Sequence, residues 1–429
     1  MPLLLHQNAT LRETLATVSA DERYTLRNVR LNAWLTEMAA PDADEEGFTS
    51  ADLSIAHGKI VAVTPADGNK DVSVASHGQA IDLCGRVVLP RFIDCHTHLD
   101  KGHILPRTTG IDGTFATARA LTMADREAHW TADDVARRMD FALRSAWHHG
   151  TAAIRTHIDS QPPQDEISWP VFAEMRRHWR GRIALQAAAL IPIDLARDAA
   201  FLDGLARRVS AAGGILGAFA YPLPDLDPIL DRFFAVATRY GLDLDFHADE
   251  TADPAADALR AIARAARRAN FAGRVLVGHC CSLAMQDDAT VDRTLDEVAG
   301  AGLAVVSLPT CNLYLQDRRP GAGTPRWRGV TLLHEMKARG IAVALASDNT
   351  RDPFHAYGDL DMLDTYRLGT RVLHLDHPTG DWPRAIASAR PCAPPTSQQQ
   401  RMASQISSLS ANFGPDAQTG TAGAKPVTR

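Results

Sequence analysis

His96 and His98 stand two residues apart in "IDCHTHLDKGH" (93–103), just after the apolar run Val87, Val88, Leu89. In an extended strand residues i and i+2 share a face, so both imidazoles can reach one point in space. A metal ion suits that geometry. Further along, "RTHID" carries His157, "DFHADE" carries His247, Asp249 and Glu250, "GHCC" carries His279 and "ASDN" carries Asp348. Each follows an apolar run.

Such runs are the strands that must position these groups. Residues 24 to 87 read as a small β module of short strands, "YTLRNVRLNAWL", "ADLSIAHGKIVAV" and "AIDLCGRVVL", preceded by an N-terminal extension over 1–23. From residue 88 to 386 apolar runs alternate with amphipathic helices, the pattern of parallel βα units. Eight strand cores are expected, near 88–96, 151–158, 182–191, 213–221, 242–248, 275–281, 302–309 and 341–347. Eight closes a (β/α)8, TIM-like barrel, whose functional groups sit at the C-terminal strand ends. Five of the eight expected strands deliver an ionisable group there: His96 and His98, His157, His247 with Glu250, His279, and Asp348. His157 alone is open to a pocket role or to a structural hydrogen bond.

Imidazole and carboxylate donors suit Zn or Fe(II), and three or four protein ligands leave room for a water. A metal of that kind lowers the water's pKa from about 15.7 toward 7, which gives a hydrolase its nucleophile. Glu250, three residues beyond His247, is placed to shuttle protons without ligating the metal. Cys280 and Cys281 are adjacent and read as buried small hydrophobes. "GGILG" lacks a phosphate-loop setting, "LHEMKA" is not HExxH, and the H-x-E with P-C-x-x-C pattern of the small zinc deaminases is missing.

Helix signals support the frame. "TADDVARRMDFALRSAWHHG" (131–150) opens on a capping pattern from Thr131 to Asp134 and closes on Gly150. Arg260, Arg264, Arg267 and Arg268 recur at helical spacing and read as a solvated outer face. The connection over 102–130 is too long for a routine βα loop and reads as a lid or substrate-facing segment.

Composition narrows the classes. The 429 residues are 45% hydrophobic and 22% charged, an ordinary globular composition. A net charge of -6 gives no electrostatic reason to expect nucleic acid. The leading "MPLLLHQNAT" lacks a basic n-region, and no apolar stretch is long enough for a membrane span. Six scattered cysteines without a CxxC fit free thiols in a reducing cytoplasm.

Together "IDCHTHLDK", "RTHID", "FHADE", "GHCCSL", "CNLYLQDR" and "ASDNTRDPF" resemble the amidohydrolase superfamily, and within it the cytosine deaminases and their relatives. The resemblance runs from about residue 24 to 386. It implies one divalent metal, Zn or Fe, held by His96, His98, His247 and Asp348. It also implies Glu250 as proton shuttle, with His279 and Asp348 activating and orienting the water. Lys101, His157, Pro192, Asn349 and Phe354 become the candidate substrate-pocket residues. Relatives are commonly oligomeric, so a homo-oligomer is the default.

Departures bear on the substrate. Pro192 stands where cytosine deaminases carry a glutamine that reads the pyrimidine edge, Asn349 replaces the usual aspartate as in N-isopropylammelide hydrolases, and Phe354 replaces tryptophan. A site without that amide loses discrimination for cytosine. The expectation is therefore a metal-dependent hydrolase of C–N bonds that deaminates a cytosine-like, amino-substituted heterocycle. The alternatives are N-dealkylation or cyclic-amide opening on a triazine-like ring and, in another class, an inactive or binding-only member of the fold. After about Ile386 the family pattern breaks, as a shifted reading frame or divergent terminus would break it. Residues 387–429 are rich in Ser, Gln, Ala, Pro and Gly, 395–429 are expected to be unstructured, and the composite β-sandwich of the N-terminal module is expected to be incomplete, with an unpaired edge.

Overall fold

The structure, a computed structural model, describes residues 18, 23–35, 43–66, 79–319, 323–377 and 380–387. The chain divides into two compact units, with a boundary between Arg91 and Phe92. The expectation for 395–429 lies outside the described residues.

The first unit is a five-stranded sheet built from β1 (Arg23–Asn32), β2 (Phe48–Ala56), β3 (Lys59–Pro65), β4 (Gln79–Asp82) and β5 (Val87–Val88). β1 lies in the middle, antiparallel to β2 and parallel to β4 and β5. Alternation along β1 and β2 turns Leu26, Leu31, Leu53 and Ile55 to one buried face together with Ile81. Among the described residues β3 ladders only with β2, and its Val61 is 63% exposed.

Val87 and Val88 pair with Arg30 and Leu31 of β1, so they belong to this sheet and not to the first barrel strand expected from residue 88. Pro90 follows. A proline has no N–H to give a ladder, and the next strand starts only at Phe92.

Eight parallel strands make the second unit: β6 (Phe92–Thr97), β7 (Thr151–Asp159), β8 (Ala184–Leu190), β9 (Leu216–Ala220), β10 (Leu244–Ala248), β11 (Val275–His279), β12 (Ala304–Ser307) and β13 (Ala342–Leu345). They run as ladders β6-β7-β8 and β9-β10-β11-β12-β13. Bridges from Ala188 to Ile215 and from Pro192 to Phe219 join the two runs on one side. On the other, Thr97 bridges Asp348, whose N–H donates to the His96 carbonyl over 2.9 Å. The ring is thereby closed as a (β/α)8 barrel.

Around it run α1 (Phe115–His129), α2 (Ala132–His148), α3 (Asp165–His178), α4 (Ala199–Ala211), α5 (Leu226–Tyr240), α6 (Ala258–Arg268), α7 (Asp288–Gly300), α8 (Pro309–Leu315), α9 (Leu333–Ala338) and α10 (Met362–Leu373). Thr131 caps α2 by accepting from the Asp134 N–H, and Gly150 beyond its end adopts φ +84°. The arginine stripe lies on α6: Arg260 and Arg264 pair with Glu297 of α7, and Arg268 with Asp227 and Asp231 of α5. The long connection after β6 contains α1, capped by Thr114. No helix among the described residues is long and apolar enough to cross a membrane.

Candidate active site

Strand ends bring the chemical groups together. His96 is the next-to-last residue of β6, and His98 lies one residue beyond its end, past a pairing irregularity between Asp94 and Thr97. Their Nε2 atoms meet that of His247 from β10, at 3.1 Å from His96 and 3.2 Å from His98. Asp348, three residues after β13, brings Oδ1 to 3.2 Å from His98 Nε2 and 3.6 Å from His96 Nε2. All four side chains are buried.

Without a cation this cluster is unfavourable. Three imidazole nitrogens and a carboxylate oxygen face one point, and neither Asp348 oxygen has a hydrogen-bond partner. Burial, joined by the neighbouring histidines, holds His96, His98 and His247 well below the usual histidine range, so they are neutral and their lone pairs are available. Burial raises Asp348 to about 7. A divalent cation would resolve these frustrations, and the N3O donor set suits Zn or Fe.

His157 has a nitrogen within reach of the same cluster, its ring centre 4.1 Å from that of His96, but the ring is held by other partners. Its Nε2 faces Asp245 Oδ1 at 3.1 Å and its Nδ1 faces the Thr97 carbonyl at 3.3 Å. Both nitrogens are thus engaged by oxygen. Arg155 donates to the other Asp245 oxygen over 2.8 Å, so His157 tops a buried polar column under the ligand cluster.

Beside the cluster, Glu250 Oε1 lies 3.3 Å from His279 Nδ1. Asn312 of α8 fixes both: its Nδ2 donates to Glu250 Oε1 over 3.3 Å and lies 3.0 Å from His279 Nδ1. Gln316 donates to the Glu250 carbonyl. Burial first, then the Asp348 carboxylate, pushes Glu250 well above the usual range, so it holds a proton readily. His279 is lowered to about 3, chiefly by burial. Asp249 takes no part, because its carboxylate accepts from the Ala258 and Leu259 N–H groups at the start of α6. Asp249, His279, Cys280 and Asp348 all adopt positive φ, between 51° and 70°. Such conformations cost about 1 kcal/mol or more each and collect where side chains must be aimed.

One pocket joins these groups to a set of apolar walls. His98, His247, Glu250, His279 and Asp348 line its reacting end, and Phe115, Pro192, Phe219 and Phe354 line the sides. Lys101 and Asn349 also reach it. The Lys101 ammonium sits 3.4 Å from Asp159 and 5.4 Å from the centre of the Phe354 ring. Burial alone would lower its pKa, but Asp159, Asp100, Asp352 and Asp348 outweigh that and hold it above the usual lysine range. His157 does not line the pocket.

Residues 199–389 match the model of the amidohydrolase family. The chain is 48% identical over 367 residues to the pterin deaminase of Rhizobium rhizogenes, covering 86% of this chain and 82% of that protein. The chain belongs to the amidohydrolase family. It is also 24% identical over 307 residues to the N-isopropylammelide isopropyl amidohydrolase of a Pseudomonas species, covering 69% and 71% of the two chains. Among solved structures, the 5-methylcytosine deaminase of Klebsiella pneumoniae superposes with a TM-score of 0.69 at 22% identity, over 86% of both chains. That likeness supports the barrel architecture.

As members of this family are metal-dependent hydrolases of C–N bonds, the histidine-rich cluster is a potential metal centre of this amidohydrolase. Sequence reasoning did not assign several polar groups at the site. Asn312 of α8 stands four residues before Gln316 at the helix C-cap, after the one late strand, β12, that ends without an ionisable group. The "CNLYLQ" spacing, one helical turn between two amides, was the available signal. Arg119, Thr122 and Arg126 were hidden in the long connection that the sequence marks only by length.

Proposed function

We propose that this amidohydrolase hydrolyses the exocyclic amino group of a 2-amino-4-oxopteridine, a pterin, releasing ammonia and leaving the 2,4-dioxo ring. The observation that carries the reading is the buried Glu250, His279 and Asp348 group beside the histidine cluster at the end of an aromatic-walled pocket. The 48% identity to a pterin deaminase supports the choice of ring. The absence of an amide at Pro192 argues against cytosine, and a pocket walled by Phe115, Phe219 and Phe354 suits a flat bicyclic ring.

His96, His98, His247 and Asp348 would hold one divalent metal. When bound, it would supply a water acidic enough to act as nucleophile near neutral pH. Glu250 would deliver a proton to the ring nitrogen beside the reacting carbon and then one to the departing amine, the attacking water being the source of both. Asn312 keeps its carboxyl directed at the pocket. His279, unpartnered at Nε2, donates toward the oxygen developing at the reacting carbon. Lys101, paired with Asp159, fixes the rim over the Phe354 face.

The test is a substrate panel on metal-loaded protein. Pterin, cytosine and an N-isopropyl-amino triazine are assayed for both ammonia and alkylamine. Pterin should give ammonia with the highest kcat/KM. Isopropylamine as the main product would favour the dealkylating alternative, to which Asn349 is suited, and cytosine as the best substrate would defeat the argument from Pro192.

A further inference from the structure

Resting on the pterin reading, we propose that Arg119 anchors an anionic substituent on the far edge of the substrate ring, so that a carboxylated pterin is preferred over the unsubstituted one. Phe115, Arg119, Thr122, Met123 and Arg126 fall on one face of α1 at helical spacing, and all five line the pocket. The acids Glu250 and Asp348 are at the reacting end, whereas this wall is cationic. Of its charged groups, Arg126 reaches Asp159 at 3.5 Å, and Lys101 already shares that carboxylate at 3.4 Å. Arg119 makes no hydrogen bond or ion pair among the described residues.

Lys101 is also held by Asp100, Asp352 and Asp348, so of the three cations it is Arg119, exposed at the pocket wall, that has no carboxylate partner among the described residues. A second observation points the same way. Thr122, 5% exposed, has an Oγ1 with no hydrogen-bond partner and lies on the same pocket-lining face. A carboxylate could take two N–H bonds from the Arg119 fork, and rotation of the Thr122 side chain to its other helical rotamer would bring the buried hydroxyl toward the same anion. When the amino-bearing carbon of a flat bicyclic ring sits at Glu250, the opposite ring edge points away from the strand ends, and the α1 wall is the charged surface available to a group attached there.

The experiment compares pterin with pterin-6-carboxylate in steady-state turnover, and binds the corresponding 2,4-dioxo products, which are not turned over, by fluorescence titration. In the wild type the carboxylate should improve both kcat/KM and product affinity by about tenfold or more. Arg119→Ala should abolish that preference through KM, and Arg119→Lys should keep part of it. A wild type indifferent to the carboxylate, or a preference that survives Arg119→Ala, would overturn the inference while leaving the pterin reading intact. Failure of the wild type to turn over or bind either ring would overturn the reading, and the inference with it.

Discussion

Gly278 tests the ligand cluster without touching a ligand. It lies in β11, and a Cβ built there would sit 2.8 Å from His96 Cε1 and 3.0 Å from His96 Nδ1, where ordinary contact is 3.4–4 Å. The imidazole is buried with no free space behind it, because His157 packs 4.1 Å from its ring centre and His247 meets its Nε2 at 3.1 Å. Relief of the overlap needs a shift of roughly 0.5 Å, beyond the ~0.2 Å tolerance of a metal–ligand distance. Gly278→Ala should therefore cost ~1–3 kcal/mol in the metal-free protein by overpacking. It should also weaken metal binding by about 10–100-fold, the range seen when a ligand's support is disturbed. Metal content after dialysis against a competing chelator and thermal unfolding with and without added metal report the two effects separately. Gly300→Ala at the end of α7, where nothing lies within 4 Å, is the matched control. A Gly278→Ala protein that holds metal as tightly as the control would refute the placement of His96 in the cluster.

Three further outcomes are expected. Glu250→Gln should keep its metal yet lose about a hundredfold or more in kcat, whereas His247→Ala should lose the metal as well, with metal analysis and ammonia release distinguishing them. Asn312→Ala, which frees Glu250 Oε1 and His279 Nδ1, should lower kcat by tenfold or more with little change in KM and should shift the pH–rate profile, and an unchanged profile would remove its positioning role. Burial, then Arg351 and Arg138, lowers His103 to about 4. The unfolded chain binds a proton between pH 6.5 and 4 that the folded chain does not, so stability rises with pH across that window. His103→Gln should flatten the slope of Tm against pH there, and an undiminished slope would assign it to other groups.

The sequence was most legible where regular periodicity met punctuation. Apolar runs ending in His96, His157, His247 and His279 could be read as barrel strands because a parallel strand buried on both faces is nearly continuous in apolar residues. The start of β6 was misplaced because Val87 and Val88 are as apolar as the strand that follows, and only pairing with Arg30 and Leu31 distinguishes them. Glu250 reads as the proton shuttle from its position past His247, although residue type alone does not set it apart from the adjacent carboxylate of Asp249. Their separation comes from a positive φ at Asp249 and the two N–H groups of α6 that it caps, which are tertiary facts. The length of the 102–130 connection marks it as substrate-facing, but which residues of α1 form the pocket wall was not legible. A stripe of Phe115, Arg119, Thr122 and Arg126 mixes apolar and charged residues, so its inward face has no hydrophobic signature.

The central claim is best tested by titrating chelator-treated protein with Zn(II) or Fe(II) while measuring ammonia released from pterin. The account predicts almost no ammonia at zero metal and a rate that rises to a plateau near one equivalent. Full activity in metal-free protein, or no ammonia at any loading, would contradict it.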